Sequence, residues 1–150
     1  MRSTTAAFIV RAIEPKDRSQ WEPLWRSYQA SRPAPAEVTE ATWQRFFDEH
    51  EPVHALVAEQ GDGLIGFVHY LFHRSTAQLD PICYLQDLFT VEAQRGKGVG
   101  RALIEGVSVR AKAAGASRVY WQTGRNNAAA RALYDKIATL TGFVQYRIYL

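Results

Sequence analysis

The stretch of sequence that most constrains the fold is a glycine-rich turn between an apolar run, which ends at Val91, and a long helical pattern. Three of five consecutive residues there are glycine, and three cations accompany them: Arg95, Lys97 and Arg101. Because glycine adopts backbone angles closed to other residues, such a turn can point several N–H groups at one spot. With the positive end of a helix that starts at about Gly98, these donors favour an anion. The stretch predicts a phosphate-binding turn, with a plain strand-to-helix turn as the alternative.

The spacing of the glycines fits the two common nucleotide-binding loops poorly. A P-loop needs Ser or Thr after its lysine, whereas Lys97 is followed by Gly98. A dinucleotide fingerprint needs Gly-x-Gly-x-x-Gly and an acidic residue about 20 positions further on. Here the glycines fall at 96, 98 and 100, and Arg118-Val119-Tyr120 occupies the later region. The predicted phosphate ligand is therefore of another type.

Length and cysteine count indicate one domain in a reducing compartment. A chain of 150 residues most simply forms a single domain, residues 1–150, that buries about 68–70% of its surface on folding. Cys83 is the only cysteine, which excludes an internal disulfide. No apolar run reaches the roughly 20 residues of a spanning helix, and the N-terminus has too short an apolar core for a secretory signal. We expect a soluble, cytoplasmic protein that does not enter a membrane.

The charges are unevenly distributed along the chain. Residues 92–136 carry nine Lys or Arg against three Asp or Glu, whereas residues 37–91 carry two against nine. A basic segment around the glycine turn suits a small polyanionic ligand, and the acidic segment before it could attract a cation or be ordinary surface scatter. A protein that binds nucleic acid would more often have a continuous basic face with exposed aromatic residues. We therefore expect no nucleic-acid partner.

Hydrophobic periodicity predicts alternating strands and helices, and hence a mixed α/β fold. The apolar run 82–91 is typical of a central strand buried on both faces, and the helical pattern 98–114 leads to a strand over 118–123. A right-handed crossover makes these two strands parallel. The tail 143–150 alternates as well. We expect about six to seven strands and about four helices, the other segments being strands 7–13, 53–59 and 64–72 and helices near 17–28, 39–51 and 127–140.

Two blocks of sequence resemble motifs of the GNAT superfamily of acetyl-CoA-dependent N-acetyltransferases. Arg95-Gly96-Lys97-Gly98-Val99-Gly100 is similar to its Gln/Arg-x-x-Gly-x-Gly/Ala motif between strand and helix. The helical segment from Asn127 to Tyr134 is similar to its Asn-x-x-Ala-x-x-Leu/Phe-Tyr block. Both blocks lie in the expected order and separation, so the resemblance covers nearly the whole chain. It implies a central mixed sheet in which strands 82–91 and 118–123 splay apart.

The resemblance also implies where acetyl-CoA would lie as co-substrate, with no metal. The pyrophosphate would rest on the backbone of residues 95–100, and the pantetheine arm would pair with the strand over residues 88–91. Separating parallel strands expose N–H and C=O groups that a peptide-like ligand can satisfy. The implied cofactor-binding residues are Leu88, Phe89, Thr90, Val91, Arg95, Gly96, Lys97, Gly98, Val99, Gly100, Arg101 and Asn127.

Tyr134 corresponds to the general acid of the family. Attack of an amine on a thioester expels a thiolate, and a phenol with a pKa near 10 is still protonated at neutral pH. Asn127 and Tyr134 are seven residues apart, which is about two helical turns and roughly 10 Å along one face. A core tyrosine at helical spacing is the alternative interpretation.

The proton of the attacking amine needs an acceptor, because a lysine-like amine has a pKa near 10.4. Asp87 or Glu92 could take this proton directly or through water, although Asp87 could equally be a strand-end carboxylate paired with a cation. The segment Tyr84-Leu85-Gln86-Asp87 resembles Tyr-Leu-Glu-Asp of polyamine-acetylating members. Gln86 departs from that pattern and leaves a polyamine substrate in doubt. Gln86 and Tyr28 are further candidates for binding the acceptor.

Other reactive side chains are weaker candidates. Cys83 could relay an acyl group, but a cysteine in an apolar strand is usually a packing residue. His69 and His73 share a strand face without further ligands at suitable spacing, so no metal site is predicted. The leading hypothesis is acetyl transfer to a primary amine of a small molecule, polyamine, lysine or peptide, and a homodimer stays open. A non-catalytic acyl-CoA-binding domain and a basic nucleic-acid-binding module are the alternatives.

Overall fold

The computed structural model describes residues 7–150 and consists of one five-stranded sheet with helices on both faces. Residues 1–6, where the sequence predicts no secretory signal, lie outside the described residues. Short 3-10 turns precede α1 and follow β4. The elements in chain order are β1 (Ile9–Ala12), α1 (Arg18–Gln29), α2 (Ala36–Arg45), β2 (Val53–Gln60), β3 (Gly63–His73), β4 (Ile82–Thr90), α3 (Val99–Ala113), β5 (Val119–Tyr120) and α4 (Ala128–Ile137).

The strands lie in the order β1-β2-β3-β4-β5, with antiparallel pairing except between β4 and β5, which are parallel. The sheet separates two cores because successive residues of a strand face opposite sides. Leu56 of β2 packs under α3 with Leu103 and Val107, whereas its neighbour Val57 packs with Trp21 of α1 on the other face. The predicted mixed α/β architecture and the parallel pair are confirmed.

The strand count of about six to seven is too high, since the described residues form five strands. β5 contains two residues instead of the six predicted over 118–123. The tail 143–150 forms no strand, and the side chains of Phe143 and Tyr146 are each 92% exposed. Alternation shows that a segment suits a sheet surface, but it does not show that a neighbouring strand offers it free backbone groups. Because β5 contains only two residues, it offers the tail few free backbone groups with which to pair.

Gly66 allows β3 and β4 to lie together under α3. A Cβ at this position would meet the backbone oxygen of Phe89 at 2.7 Å, and side chains of Leu103 and Val99 at 3.3 Å. We expect Gly66→Ala to lower the free energy of unfolding by about 1–3 kcal/mol, because backbone of a packed sheet must shift. Urea denaturation measures this loss. Gly142→Ala, where a Cβ meets nothing within 4 Å, is the control, and equal urea midpoints for the two variants would contradict the expectation.

Candidate active site

A β-bulge in β4 turns Asp87 toward the face covered by α1 and α2. In the pairing with β3, His69 is opposite Asp87 and Tyr70 is opposite Leu85, so Gln86 is the extra residue. Leu85 and Leu88 both pack in the core under α3, although they are three positions apart. Only an inserted residue allows this, since side chains otherwise alternate. The bulge therefore places the Asp87 side chain on the face opposite to that of Leu85 and Leu88, as bulges beside active sites often redirect a side chain.

A buried hydrogen-bond chain holds the Asp87 carboxylate. The indole Nε1–H of Trp21 donates to His69 Nε2 over 3.0 Å. His69 Nδ1 lies 3.0 Å from Asp87 Oδ2. Because an indole nitrogen only donates, Nε2 must be the acceptor and Nδ1 must carry the proton that His69 donates to Asp87. His69 is buried, and burial lowers its pKa against the opposing effect of Asp87. The imidazole is therefore neutral and orients the carboxylate.

The neutral state of His69 makes folding sensitive to acid. Its pKa in the folded chain is lowered from the ordinary value of 6.5 by burial, so the unfolded chain takes up a proton that the folded chain does not. The free energy of unfolding therefore falls as the pH drops below 6.5 toward the folded pKa, by up to about 1.4 kcal/mol per pH unit. We expect urea denaturation to show a flatter pH dependence for His69→Gln than for wild type. His50→Gln, at an exposed position, should keep the wild-type slope; a wild-type slope in His69→Gln would contradict this account.

One tyrosine, Tyr28, lies close to this carboxylate, and a second, Tyr134, lies close to Tyr28. The pKa of Tyr28 is raised, first because the hydroxyl is buried and then because it interacts with Asp87 by charge and hydrogen bond. Tyr134 is near enough to contribute to the same shift. Burial also raises the pKa of Tyr134, whose ring packs edge-on against Trp121 at 5.3 Å. The Tyr134 hydroxyl stays protonated at neutral pH and has no hydrogen-bond partner within residues 7–150, so it is free to donate a proton.

The two parallel strands part immediately after they meet. Their pairing comprises only Cys83 with Val119 and Tyr84 with Tyr120. β4 continues to Thr90, whereas residues 121–123 are not in a strand. The backbone of β4 beyond Tyr84 therefore has no strand beside it on the β5 side. Of the predicted cofactor-binding residues, Leu88, Phe89 and Thr90 line up along this gap, while the N–H of Val91 donates to Ile65 on the β3 side.

The glycine turn joins this gap to α3. Gly96 and Gly98 have φ of 75° and 86°, values at which an L side chain is strained. Gly98 is the N-cap of α3, and no side chain caps the helix. The first intrahelical bond runs from Ala102 N to Gly98 O, so the N–H groups of the first turn, residues 99–101, have no partner in the helix. This uncapped turn fits a pyrophosphate.

The cations around the turn have different local partners. Arg95 Nε donates to Thr90 O over 3.1 Å and so ties the turn to β4. Arg101 pairs with Glu105 at 3.1 Å. Among residues 7–150, Lys97 contacts only Gln94, at 3.5 Å, and is the cation most available to an anion. Asn127 is the N-cap of α4, where its Nδ2 donates to Thr123 Oγ1 over 3.2 Å.

A cavity of about 270 Å³ opens beside Asp87, between the sheet and the first two helices. Its lining includes Asp87 and Gln86, both predicted to act on the acceptor, together with Trp25, Arg45 and Phe46, which sequence reasoning did not single out as binding residues. Tyr28 is not among its lining residues, although it interacts with Asp87. The sequence signal for His69 was a polar residue inside an apolar strand, whereas the exposed Arg45 gave none.

The weaker candidates have no catalytic setting. Cys83 is fully buried, and burial raises the pKa of its thiol to about 11. Glu92 begins an exposed 3-10 turn after β4, whereas Asp87 lies beside the cavity. Within the described part of the chain, no group of three His, Cys, Asp or Glu residues could hold a metal ion. None of the helices described is long and apolar enough to cross a membrane.

Comparison with known proteins identifies the family. The sequence model of the acetyltransferase (GNAT) family matches residues 19–138. The D-amino-acid N-acetyltransferase HPA3 of Saccharomyces cerevisiae is 42% identical over 144 residues, which cover 93% of this chain and 89% of that protein. The uncharacterized N-acetyltransferase YhfO of Bacillus subtilis is 30% identical over 91% of this chain and 94% of its own length.

A solved structure agrees at the level of the fold. AAC(6')-Iy, in complex with the bisubstrate analogue CoA-S-monomethyl-acetylneamine, superposes with a TM-score of 0.81 at 17% identity, over 96% of this chain and 99% of that one. The family model and the two sequence relatives confirm the resemblance to the GNAT superfamily. The chain belongs to the GNAT family of acetyltransferases and is an acyltransferase.

Proposed function

We propose that the enzyme transfers the acetyl group of acetyl-CoA to the primary amine of a small molecule, by direct attack within a ternary complex. The observation that carries this proposal is that Asp87 lines a cavity beside the sheet, three residues beyond Tyr84, where β4 parts from β5, and that Tyr28 interacts with both Asp87 and Tyr134. A carboxylate and a protonated phenol are the two groups that amine acetylation requires, one to accept a proton and one to donate it. In the alternative, a non-catalytic acyl-CoA-binding domain, the carboxylate and the phenol would have no role.

The binding site that we infer for acetyl-CoA has three parts. The N–H groups of residues 99–101, with Lys97, would hold the pyrophosphate at the uncapped start of α3. The unpaired edge of β4 over residues 88–90 would bind the peptide-like arm. Asn127, exposed at the start of α4, would contact the cofactor between these two regions. When bound there, acetyl-CoA supplies the thioester carbonyl that the amine attacks.

Asp87 would act as the base. It is held by the neutral His69, which donates its Nδ1 proton, and it lines the cavity in which an amine can lie. The carboxylate accepts the proton of the attacking amine, directly or through water. Because His69 cannot give up its bond from Trp21 without leaving a buried indole N–H unpaired, the carboxylate stays fixed in place.

Tyr134 would act as the acid. Its hydroxyl is protonated at neutral pH because burial raises its pKa, and it has no partner in the described chain to compete for the proton. The leaving thiolate takes this proton, and the acid is restored from solvent. Cys83 takes no part, since its buried thiol with a pKa of about 11 is not a nucleophile at neutral pH.

The acceptor that we propose is the α-amine of an amino acid. The relative from Saccharomyces cerevisiae, 42% identical, is a D-amino-acid N-acetyltransferase, and a solved neighbour at 16% identity is an aminoglycoside acetyltransferase in complex with sisomicin. The first relative is the stronger guide because its identity is far higher. We expect the reaction to take place in the cytoplasm.

Thiol release from acetyl-CoA across a panel of amines, with product masses, tests the proposed function. The panel contains D- and L-amino acids, spermidine, a lysine peptide and an aminoglycoside. We expect amine-dependent thiol release and a product heavier by one acetyl group, with D-amino acids among the acceptors. Binding of coenzyme A without acetylation of any amine would contradict the proposal and favour the non-catalytic alternative.

A further inference from the structure

Arg45 is a cation without a partner on the wall of the cavity beside Asp87. It lies in the last turn of α2, and its side chain is exposed. Within residues 7–150 its side chain makes no hydrogen bond or ion pair, whereas Arg11 and Arg18 each pair with two carboxylates. A guanidinium left free on a cavity wall can give two parallel hydrogen bonds to a carboxylate. The cavity therefore offers a site for an anionic group.

The charges that line the cavity match a zwitterion. Among the described residues, Arg45 and Asp87 are the only charged ones that line the cavity, one of each sign, and His69 is neutral. An amino acid carries one amine and one carboxylate on the same carbon, so both ends are matched when the amine lies at Asp87. A polyamine or aminoglycoside would instead bring several positive charges toward Arg45, with one carboxylate to receive them. Like charges at close range oppose such binding.

Four of the other lining residues suit an apolar side chain, although Thr42, His69, Tyr70 and Gln86 also line the cavity. Trp25 and Phe46 contribute aromatic rings, and Val53 and Leu71 contribute aliphatic groups. A volume of about 270 Å³ accommodates an amino acid with a large side chain.

We propose that Arg45 binds the carboxylate of a free α-amino acid with an aromatic or large aliphatic side chain, while the amine of the same molecule meets Asp87. This inference rests on the proposed acetyl transfer and narrows its acceptor. Arg45 sets specificity and does not touch the reacting atoms, so its loss should raise KM much more than it lowers kcat. Amines without a carboxylate make no such bond with Arg45, so the loss of Arg45 should leave their KM unchanged.

A pair of matched acceptors tests the role of Arg45. D-Phenylalanine and D-phenylalaninamide differ in that a neutral amide replaces the carboxylate; because this change also lowers the pKa of the amine, the two are compared over a range of pH that spans the pKa values of both amines. We expect the wild-type enzyme to favour the acid in kcat/KM by about 10- to 100-fold, the usual effect of a hydrogen bond to a charged group. In Arg45→Gln this preference should disappear, mainly through a higher KM for the acid. Arg118→Gln, an exposed arginine away from the cavity, should keep the preference.

The outcomes separate this inference from the proposed function. If wild type acetylates both compounds equally, or if Arg45→Gln keeps the preference for the acid, the role of Arg45 is overturned while acetyl transfer stands. If wild type acetylates only spermidine or the aminoglycoside, the amino-acid class is overturned and acetyl transfer again stands. If no amine of any class is acetylated, both fall. Unchanged thermal unfolding of Arg45→Gln shows that a lost preference does not come from misfolding.

Discussion

Tyr134→Phe is expected to slow thiol release from acetyl-CoA by about 10²- to 10⁴-fold, the usual contribution of a general acid. The substitution removes one oxygen and keeps the ring that packs against Trp121 at 5.3 Å. Since the hydroxyl has no hydrogen-bond partner in the described chain, its removal leaves no group unsatisfied. Folding and coenzyme A binding should therefore persist while the leaving thiolate loses its proton donor. Steady-state thiol release and titration with coenzyme A measure the two effects separately.

A matched control distinguishes proton donation from a general effect of removing a phenol. Tyr146→Phe changes a side chain that is 92% exposed in the tail, and it should leave both rate and binding at wild-type values. Loss of coenzyme A binding in Tyr134→Phe would indicate a binding role instead. Undiminished turnover would remove Tyr134 from the mechanism.

Asp87→Asn is expected to lower kcat/KM by about 10²- to 10⁴-fold at neutral pH. The amide keeps the shape of the carboxylate and an oxygen that can accept the proton of His69 Nδ1, 3.0 Å away in the wild type. It cannot take a proton from the amine, so only amine that is already neutral in solution reacts. The deficit should therefore shrink as the pH rises toward the pKa of the amine. A pH profile of kcat/KM for both proteins measures this convergence.

The pH profile also tests a purely positional role for Asp87. If the loss were the same at every pH, Asp87 would orient the amine without accepting its proton. Asp80→Asn, an exposed aspartate in the loop before β4, should follow the wild-type profile throughout. Wild-type activity in Asp87→Asn at neutral pH would show that another group is the base.

The elements built from local pattern were predictable from the sequence. Gly98 marks the start of a helix, and α3 begins at the next residue, Val99. The apolar run over 82–91 is a central strand, and the crossover rule placed β5 parallel to it. The shortness of β5 was not predictable, because the end of a strand pair depends on how the sheet splays. For the same reason, the apolar alternation of residues 143–150 did not indicate that the tail lies outside the sheet.

The candidate site could be predicted only in part. Motif resemblance pointed to Tyr134, Asn127 and the glycine turn, because the motifs are defined by local backbone geometry and helix spacing. The contact between His69 and Asp87 joins residues 18 apart. It depends on the bulge at Gln86, which the sequence pattern did not predict. Arg45 lines the cavity only because α2 ends there. Such contacts depend on strand register and on where helices pack. Both are set by interactions between residues far apart in the sequence, which local patterns do not reveal.

The central claim is that the acetyl group passes directly from thioester to amine, with no acyl group held by the protein. Initial rates of thiol release, with acetyl-CoA and a D-amino acid varied together, test it most directly. Transfer within a ternary complex predicts double-reciprocal lines that intersect, and thiol release that requires the amine. Parallel lines, the pattern of a covalent acyl-enzyme, or release that is independent of the amine would contradict the account.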